Sequence, residues 1–393
     1  MEKPSGKKTS LGINTRLTHC GYDPRDYHGF VNPPVVHAST VLFPDAQTLA
    51  TRNQKYTYGT RGTPTSDALC QAIDALEGSA GTILVPSGLA AVAVPLLAFL
   101  SAGDHVLFVD SIYNPTRHFA DTMLTRLGIA VEYYDPAIGA DIAALIRPNT
   151  KVVFTESPGS NTFEMQDIPA IVAKAHETDA IVMMDNTWAT PVYFRPLDHG
   201  VDISIHAATK YPSGHSDVLL GTVSANERCW PALKEGNGTL GICVGPDDAY
   251  QILRGLRTMG VRLEAHQKSA LEIARWLEMQ PGVASVLHPA LESHPGHAIW
   301  KRDFGGASGI FSVVLNGGGM KKAHAFLDAL ELFGLGYSWG GYESLALQVS
   351  LADRTVSRTD YPGPVMRLQI GLEDTADLIA DLQNALTAAA AAE

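Results

Sequence analysis

From about Thr65 to Ile205 the chain repeats one pattern: a short apolar run, a turn, a stretch long enough for a helix, then another apolar run. The runs occupy residues 82–85, 105–109, 131–134, 151–155, 181–184 and 203–205, and most are bounded by Gly, Pro, Asp or Asn. Between most of them lie helix-length segments such as 89–100, 117–127 and 168–176. Neighbouring parallel strands need a long crossover, which a helix normally supplies, so the alternation predicts an α/β fold with a mostly parallel, fully buried sheet.

On either side the pattern changes. Pro4, Pro24, Pro33, Pro34 and Pro44 interrupt the first sixty residues, which read as an extended arm that needs a partner surface, such as a neighbouring subunit, to order it. A second region begins near Tyr250. Residues 250–278 space Leu253, Leu256, Leu263, Leu271 and Ala274 as a helix does, with Gly255 and Gly260 weakening the middle. Strands at 309–315 and 365–370, a Gly-rich turn at 317–319 and helices at 321–332 and 375–386 predict a smaller α+β domain, with 388–392 as a frayed end. The expected organisation is an arm over 1–60, an α/β domain over 61–256 and an α+β domain over 257–393.

Composition narrows the function. A net charge of −12 argues against nucleic acid or an anionic membrane surface as partner, because both demand a basic face. The longest apolar run, 89–100, is broken by Pro95 and is too short for a bilayer span. Basic residues among the first ten precede no apolar core, so no secretory signal is read. Cys20, Cys70, Cys229 and Cys243 lack the spacing of a zinc site or a disulfide framework. The expectation is a cytoplasmic protein acting on a small molecule.

Four features fall where strands of the predicted sheet end, which is where open α/β sheets bind ligands. Ser87, Gly88 and Leu89 follow a strand and open a helix, so their backbone N–H groups can cradle an anion; Ser87 is equally an ordinary helix cap. Asp185 closes a very apolar strand, either as a turn cap or as a carboxylate kept for a buried cation. Thr209-Lys210-Tyr211 places an amine near the sheet rim, where desolvation turns a lysine into a nucleophile; the alternative is a surface lysine. Tyr113 follows another strand and can stack on a flat ligand or simply pack in the core. An anion cradle, a stacking ring, a carboxylate and an imine-forming amine together match pyridoxal phosphate, whose protonated ring serves as an electron sink. His206 and His215 lack thiol or carboxylate partners at ligand spacing, so no metal is assigned.

At these residues the chain resembles the cysteine/methionine-metabolism family of pyridoxal-phosphate enzymes, with the aspartate-aminotransferase fold. The resemblance runs from about Thr15 to the last helix and is carried most specifically by residues 202–216, DISIHAATKYPSGHS. Within the family it is strongest to the bacterial β-lyase branch, through 58–63 (YGTRGT), 337–345 (YSWGGYESL) and 367–374 (RLQIGLED). The resemblance implies Lys210 as the Schiff-base lysine, Asp185 as partner of the pyridine nitrogen, and Tyr113 stacked on the ring and aiding deprotonation of the substrate amine. It implies that Gly88, Leu89 and the Thr209 hydroxyl hold the phosphate, joined by Tyr58 from the neighbouring subunit. It further implies that Arg367 clamps the substrate carboxylate and that Ser338, Trp339 and Tyr337 line the pocket. A homotetramer built as a dimer of dimers follows from the same resemblance.

The chain departs from the family pattern in places. Thr60 stands where relatives have Arg, which leaves Arg61 either at the phosphate or at the far end of the substrate. Ala207 replaces a common Ser, Pro212 an aliphatic residue and Ser160 a common Asn. Relatives that attack the γ-carbon often carry Glu where this chain has Tyr337. The reaction implied is β-elimination of L-cystathionine to homocysteine, pyruvate and ammonia, in methionine biosynthesis. A lyase for cysteine, cystine, S-alkylcysteines or methionine is the near alternative, and a non-catalytic cofactor-binding regulator the distant one.

Overall fold

The computed structural model describes residues 11–357 and 360–392. Seven strands form the large sheet: β1 (Gly81–Val85), β2 (His105–Val109), β3 (Ala130–Tyr134), β4 (Thr150–Glu156), β5 (Ile181–Asp185), β6 (Ile203–Ala207) and β7 (Gly221–Ala225). Their order is β1-β7-β6-β5-β4-β2-β3. All neighbours run parallel except β7, which is antiparallel to both β1 and β6. The fold is therefore α/β with a mostly parallel sheet, as the alternation requires. The sequence pattern misses β7 because Gly-Thr-Val-Ser-Ala carries one strong β-former, although the whole strand is buried.

Five strands make the smaller sheet: β8 (Val283–Leu287), β9 (Ile310–Leu315), β10 (Gly334–Leu335), β11 (Leu345–Gln348) and β12 (Val365–Gln369), ordered β10-β11-β12-β9-β8. Of these only β9 and β12 are legible as apolar runs. Helices α1 (Ile13–His19), α2 (Pro64–Glu77), α3 (Gly88–Phe99), α4 (Pro246–Glu278) and α5 (Thr375–Ala391) frame the two sheets. The long helix α4 passes unbroken through residues 256 and 257, so the border expected there falls inside one helix. Gly255 does not break it, and a Cβ there would lie 2.1 Å from the Pro212 carbonyl oxygen. The glycine is what lets the backbone after Lys210 approach the helix. Helix α5 stays ordered to Ala391, with Ala389 buried, where fraying was expected.

The arm is not uniformly extended. Helix α1 buries Leu17 against α2 and α4, and the Arg257 guanidinium donates to the Leu17 and Cys20 carbonyls at 2.9 and 3.0 Å. Beyond it, Phe30, Val31, Leu42, Leu49 and Tyr58 remain exposed on this chain. Among the described residues no helix is long and apolar enough to cross a membrane.

Candidate active site

A cavity of about 380 Å³ opens at the carboxyl ends of the parallel strands. It gathers Ser87, Gly88, Leu89, Tyr113, Asp185, Thr209, Lys210, Tyr337, Ser338, Trp339 and Arg367 from both sheets.

Lys210 is placed by a tight turn after β6. The Lys210 amide donates to the Ala207 carbonyl at 3.0 Å, and the Gly214 amide to the Lys210 carbonyl at 2.8 Å. Tyr211, fully buried, anchors the turn: its hydroxyl oxygen accepts from the Gly309 amide at 2.7 Å. The amine is thereby aimed into the cavity, where Nζ donates to Ser338 Oγ at 2.5 Å and lies 5.3 Å from the centre of the Trp339 ring. Burial, then the Arg367 charge, lowers its pKa to about 8, against the pull of Asp185. Ser338 is held at φ 77°, a left-handed conformation that an L-residue adopts at a cost.

Asp185 ends β5 and accepts the Thr187 amide at 2.9 Å. Thr187 Oγ1 in turn accepts from the Ala207 amide at 2.9 Å, tying the ends of β5 and β6 together. Burial, the largest influence, raises the Asp185 carboxyl above its ordinary range despite the Thr187 bonds. A cation brought to this carboxyl would reverse that.

The Ser87 hydroxyl accepts from the Ala90 amide at 3.1 Å, so Ser87 is a helix cap as well as a cavity residue. The amides of Gly88 and Leu89 stand in the first turn of α3, where no intrahelical acceptor exists. A Cβ on Gly88 would lie 2.6 Å from Ala207 Cβ, so only glycine allows this helix terminus to sit against the end of β6.

Arg367 projects from β12. Its guanidinium donates to Asn161 Oδ1 and to the Ser338 carbonyl, each at 3.3 Å, and burial lowers its pKa to about 10. It stays charged at neutral pH, with donors to spare for a second carboxylate. Tyr337 is 91% exposed at the mouth.

Two residues singled out from the sequence are not brought into this cavity. Tyr58 is exposed on the arm, and the Arg61 guanidinium lies against Gly238 of the helix Trp230–Leu240. His206 is taken up by buried Glu77, and His215 by the Ser213 carbonyl at 2.8 Å.

Sequence reasoning missed Glu156, Asn161 and Thr187. Glu156 ends β4 as Asp185 ends β5, directly opposite it in register, and its carboxylate accepts the Tyr113 amide at 2.8 Å. Burial first, then Asp185, raises its pKa well above the ordinary value. The strand-end logic that found Asp185 would have found Glu156 had the strand been read one residue further. Asn161 sits at φ 68°, a left-handed position that asparagine tolerates better than most residues but that nothing in a single sequence marks.

The sequence pattern of the Cys/Met metabolism PLP-dependent enzyme family matches residues 14–387. The chain belongs to that family. It is 73% identical, over 97% of this chain and 98% of the other, to a Rhizobium johnstonii protein provisionally named cystathionine beta-lyase. It is 48% identical, over 94% of this chain and 97% of the other, to the cystathionine beta-lyase MetC of Escherichia coli. The crystal structure of metB from Corynebacterium glutamicum superposes with a TM-score of 0.91 at 33% identity, covering 97% of this chain and 99% of that one.

The cavity fits the family's cofactor. The uncovered amides of α3, pressed against β6 by a glycine that a Cβ would displace, suit a phosphate. Asp185, raised by burial, suits a protonated pyridine, and Lys210 Nζ suits an aldehyde.

Proposed function

We propose that the chain catalyses β-elimination of L-cystathionine to homocysteine, pyruvate and ammonia, with pyridoxal phosphate held by Gly88, Leu89, Thr209, Asp185, Tyr113 and Lys210. The observation that carries the proposal is the convergence, in one cavity, of an amine lowered to about 8, a buried carboxyl and a guanidinium fork with donors to spare. The names of relatives matched along almost the whole chain support the substrate.

Pyridoxal phosphate, when bound, supplies an aldehyde that takes up amines and a ring that withdraws electrons from the substrate. The chain's own groups do the rest. Arg367 orients the substrate α-carboxylate with a bidentate pair, which a lysine could not supply. Lys210 Nζ, once released from the aldehyde, removes the Cα proton and returns a proton to the departing sulfur; a pKa of about 8 suits it to both tasks near neutrality. Asp185 holds the ring nitrogen's proton. Burial and then Glu156 raise the Tyr113 hydroxyl, and Tyr113 lines the cavity where it would stack on the ring and aid deprotonation of the substrate amine. Tyr337 puts an aromatic ring rather than a carboxylate at the mouth, which favours departure at Cβ over Cγ.

The exposed Tyr58 and the other exposed apolar residues of the arm support the further proposal that the arm completes the site of a second copy, within a homotetramer. Product analysis tests the reaction. Purified protein with pyridoxal phosphate and L-cystathionine should release pyruvate; 2-oxobutyrate, or neither keto acid, would overturn it.

A further inference from the structure

Asp110 directly follows β2, is fully buried, and lies three residues before Tyr113. Its carboxylate accepts three successive backbone amides from the loop joining β11 to β12: Thr355 at 3.1 Å, Val356 at 2.9 Å and Ser357 at 2.7 Å. The Thr355 and Ser357 hydroxyls add bonds at 3.0 and 3.1 Å, and Arg117 Nη2 donates at 2.5 Å. Burial alone would raise this carboxyl; the Ser357, Thr355 and Val356 amides, with Arg117, overcome it and hold the pKa far below the usual carboxylate range. No step of the reaction uses the group.

The same strap is tied a second time. Arg354 donates to the Ser160 carbonyl at 2.8 Å and to Thr162 Oγ1 at 2.9 Å. Asn161, between those two residues, accepts from Arg367. Asn114, next to Tyr113, donates to Asp353 at 2.9 Å. One unbroken line of contacts thus runs from Asp110 through the strap and Arg354 to the 160–162 loop, Asn161 and Arg367.

We infer that Asp110 is a positioning residue: by clasping strap 353–357 it fixes the Arg367 fork relative to Tyr113, and so sets the affinity for the α-carboxylate of an amino acid. The inference rests on the carboxylate-clamp reading of Arg367 but not on the fate of the substrate at Cβ. Five of the six donors on this carboxylate, more than holding a surface loop requires, come from the strap, whose Arg354 holds the loop that carries Asn161 against the clamp.

Glycine is the test ligand, because it has the amine and the α-carboxylate but no leaving group. Its affinity is therefore readable even if the protein eliminates nothing from L-cystathionine. The cofactor-loaded protein is titrated with glycine, following the visible absorbance, and hydrogen exchange is measured at the Thr355, Val356 and Ser357 amides. In Asp110→Asn those amides should exchange at least about tenfold faster, and half-saturating glycine should rise about tenfold, the scale of one charge-assisted hydrogen bond. Asn114→Ala, at an exposed pair that leaves the fold intact, should raise half-saturating glycine about threefold with an unchanged thermal midpoint, the scale of a weak surface contact. Faster exchange with glycine affinity within twofold of the unaltered protein would overturn the inference, as would strap amides that exchange no faster. Should Asp110→Asn fail to fold, Asn114→Ala decides alone: an unchanged glycine affinity refutes the clasp.

Discussion

Replacing Arg367 by lysine separates charge from geometry at the carboxylate clamp. Arg367 already spends two donors at 3.3 Å, on Asn161 Oδ1 and the Ser338 carbonyl, and both are long bonds. The planar fork can shorten neither without turning, so its remaining N–H groups stay aimed into the cavity. Lysine keeps the positive charge, and with it the influence that helps to lower Lys210. It has three donors on one nitrogen and cannot serve Asn161, Ser338 and both carboxylate oxygens together. The loss is one charge-assisted hydrogen bond, about 1.5–3 kcal/mol, or roughly 10- to 150-fold in kcat/KM. Pyruvate release from L-cystathionine, coupled to lactate dehydrogenase, reads the effect. Arg367→Lys within threefold of the unaltered protein would mean that no bidentate pair forms, and the assignment of Arg367 would fall.

The other predictions concern the cofactor's holders. Lys210 folds with a pKa near 8 against an ordinary 10.5, a difference worth about 3 kcal/mol. Between those pH values the unfolded chain binds more protons than the folded one, so stability rises with pH across that window. In the cofactor-free protein Lys210→Met should therefore be more stable at pH 7 by a pH-dependent part of about 3 kcal/mol that vanishes toward pH 10.5, as denaturant titrations at each pH would show. Asp185→Asn should lower kcat by more than about 100-fold, because the ring nitrogen's proton loses its counter-charge; steady-state rates at saturating cofactor check this. Gly88→Ala drives a methyl toward Ala207 at 2.6 Å and should weaken cofactor binding about tenfold, measured by absorbance titration. An unchanged affinity there would show that the helix terminus is not the phosphate cradle.

The sequence revealed β2, β4, β5 and β6 because they are buried almost throughout and so read as continuous apolar runs, whereas the edge strand β3 is only half-buried. β7 was invisible for the opposite reason: pressed between β1 and β6, it is made of small residues with only Val223 to carry a hydrophobic signal. The cavity residues legible in advance sit at strand ends or in motifs, as Lys210, Asp185 and Gly88 do. Asn161 and Thr187 were not, because their roles depend on how loops fold back: a left-handed backbone at Asn161, and a hydroxyl that bridges to Ala207. Glu156 was lost to a strand boundary placed one residue early. Leu17 shows the limit of reading the arm from its prolines, since one buried leucine and two carbonyls held by Arg257 dock α1 on its own chain. The Asp110 clasp joins residues some 245 positions apart, a separation that no local pattern reports.

The attachment point of the cofactor is the most direct test of all this. Borohydride reduction of the loaded protein, digestion and peptide mapping should place a single pyridoxyl group on Lys210. A label on any other lysine, or none, would contradict the site.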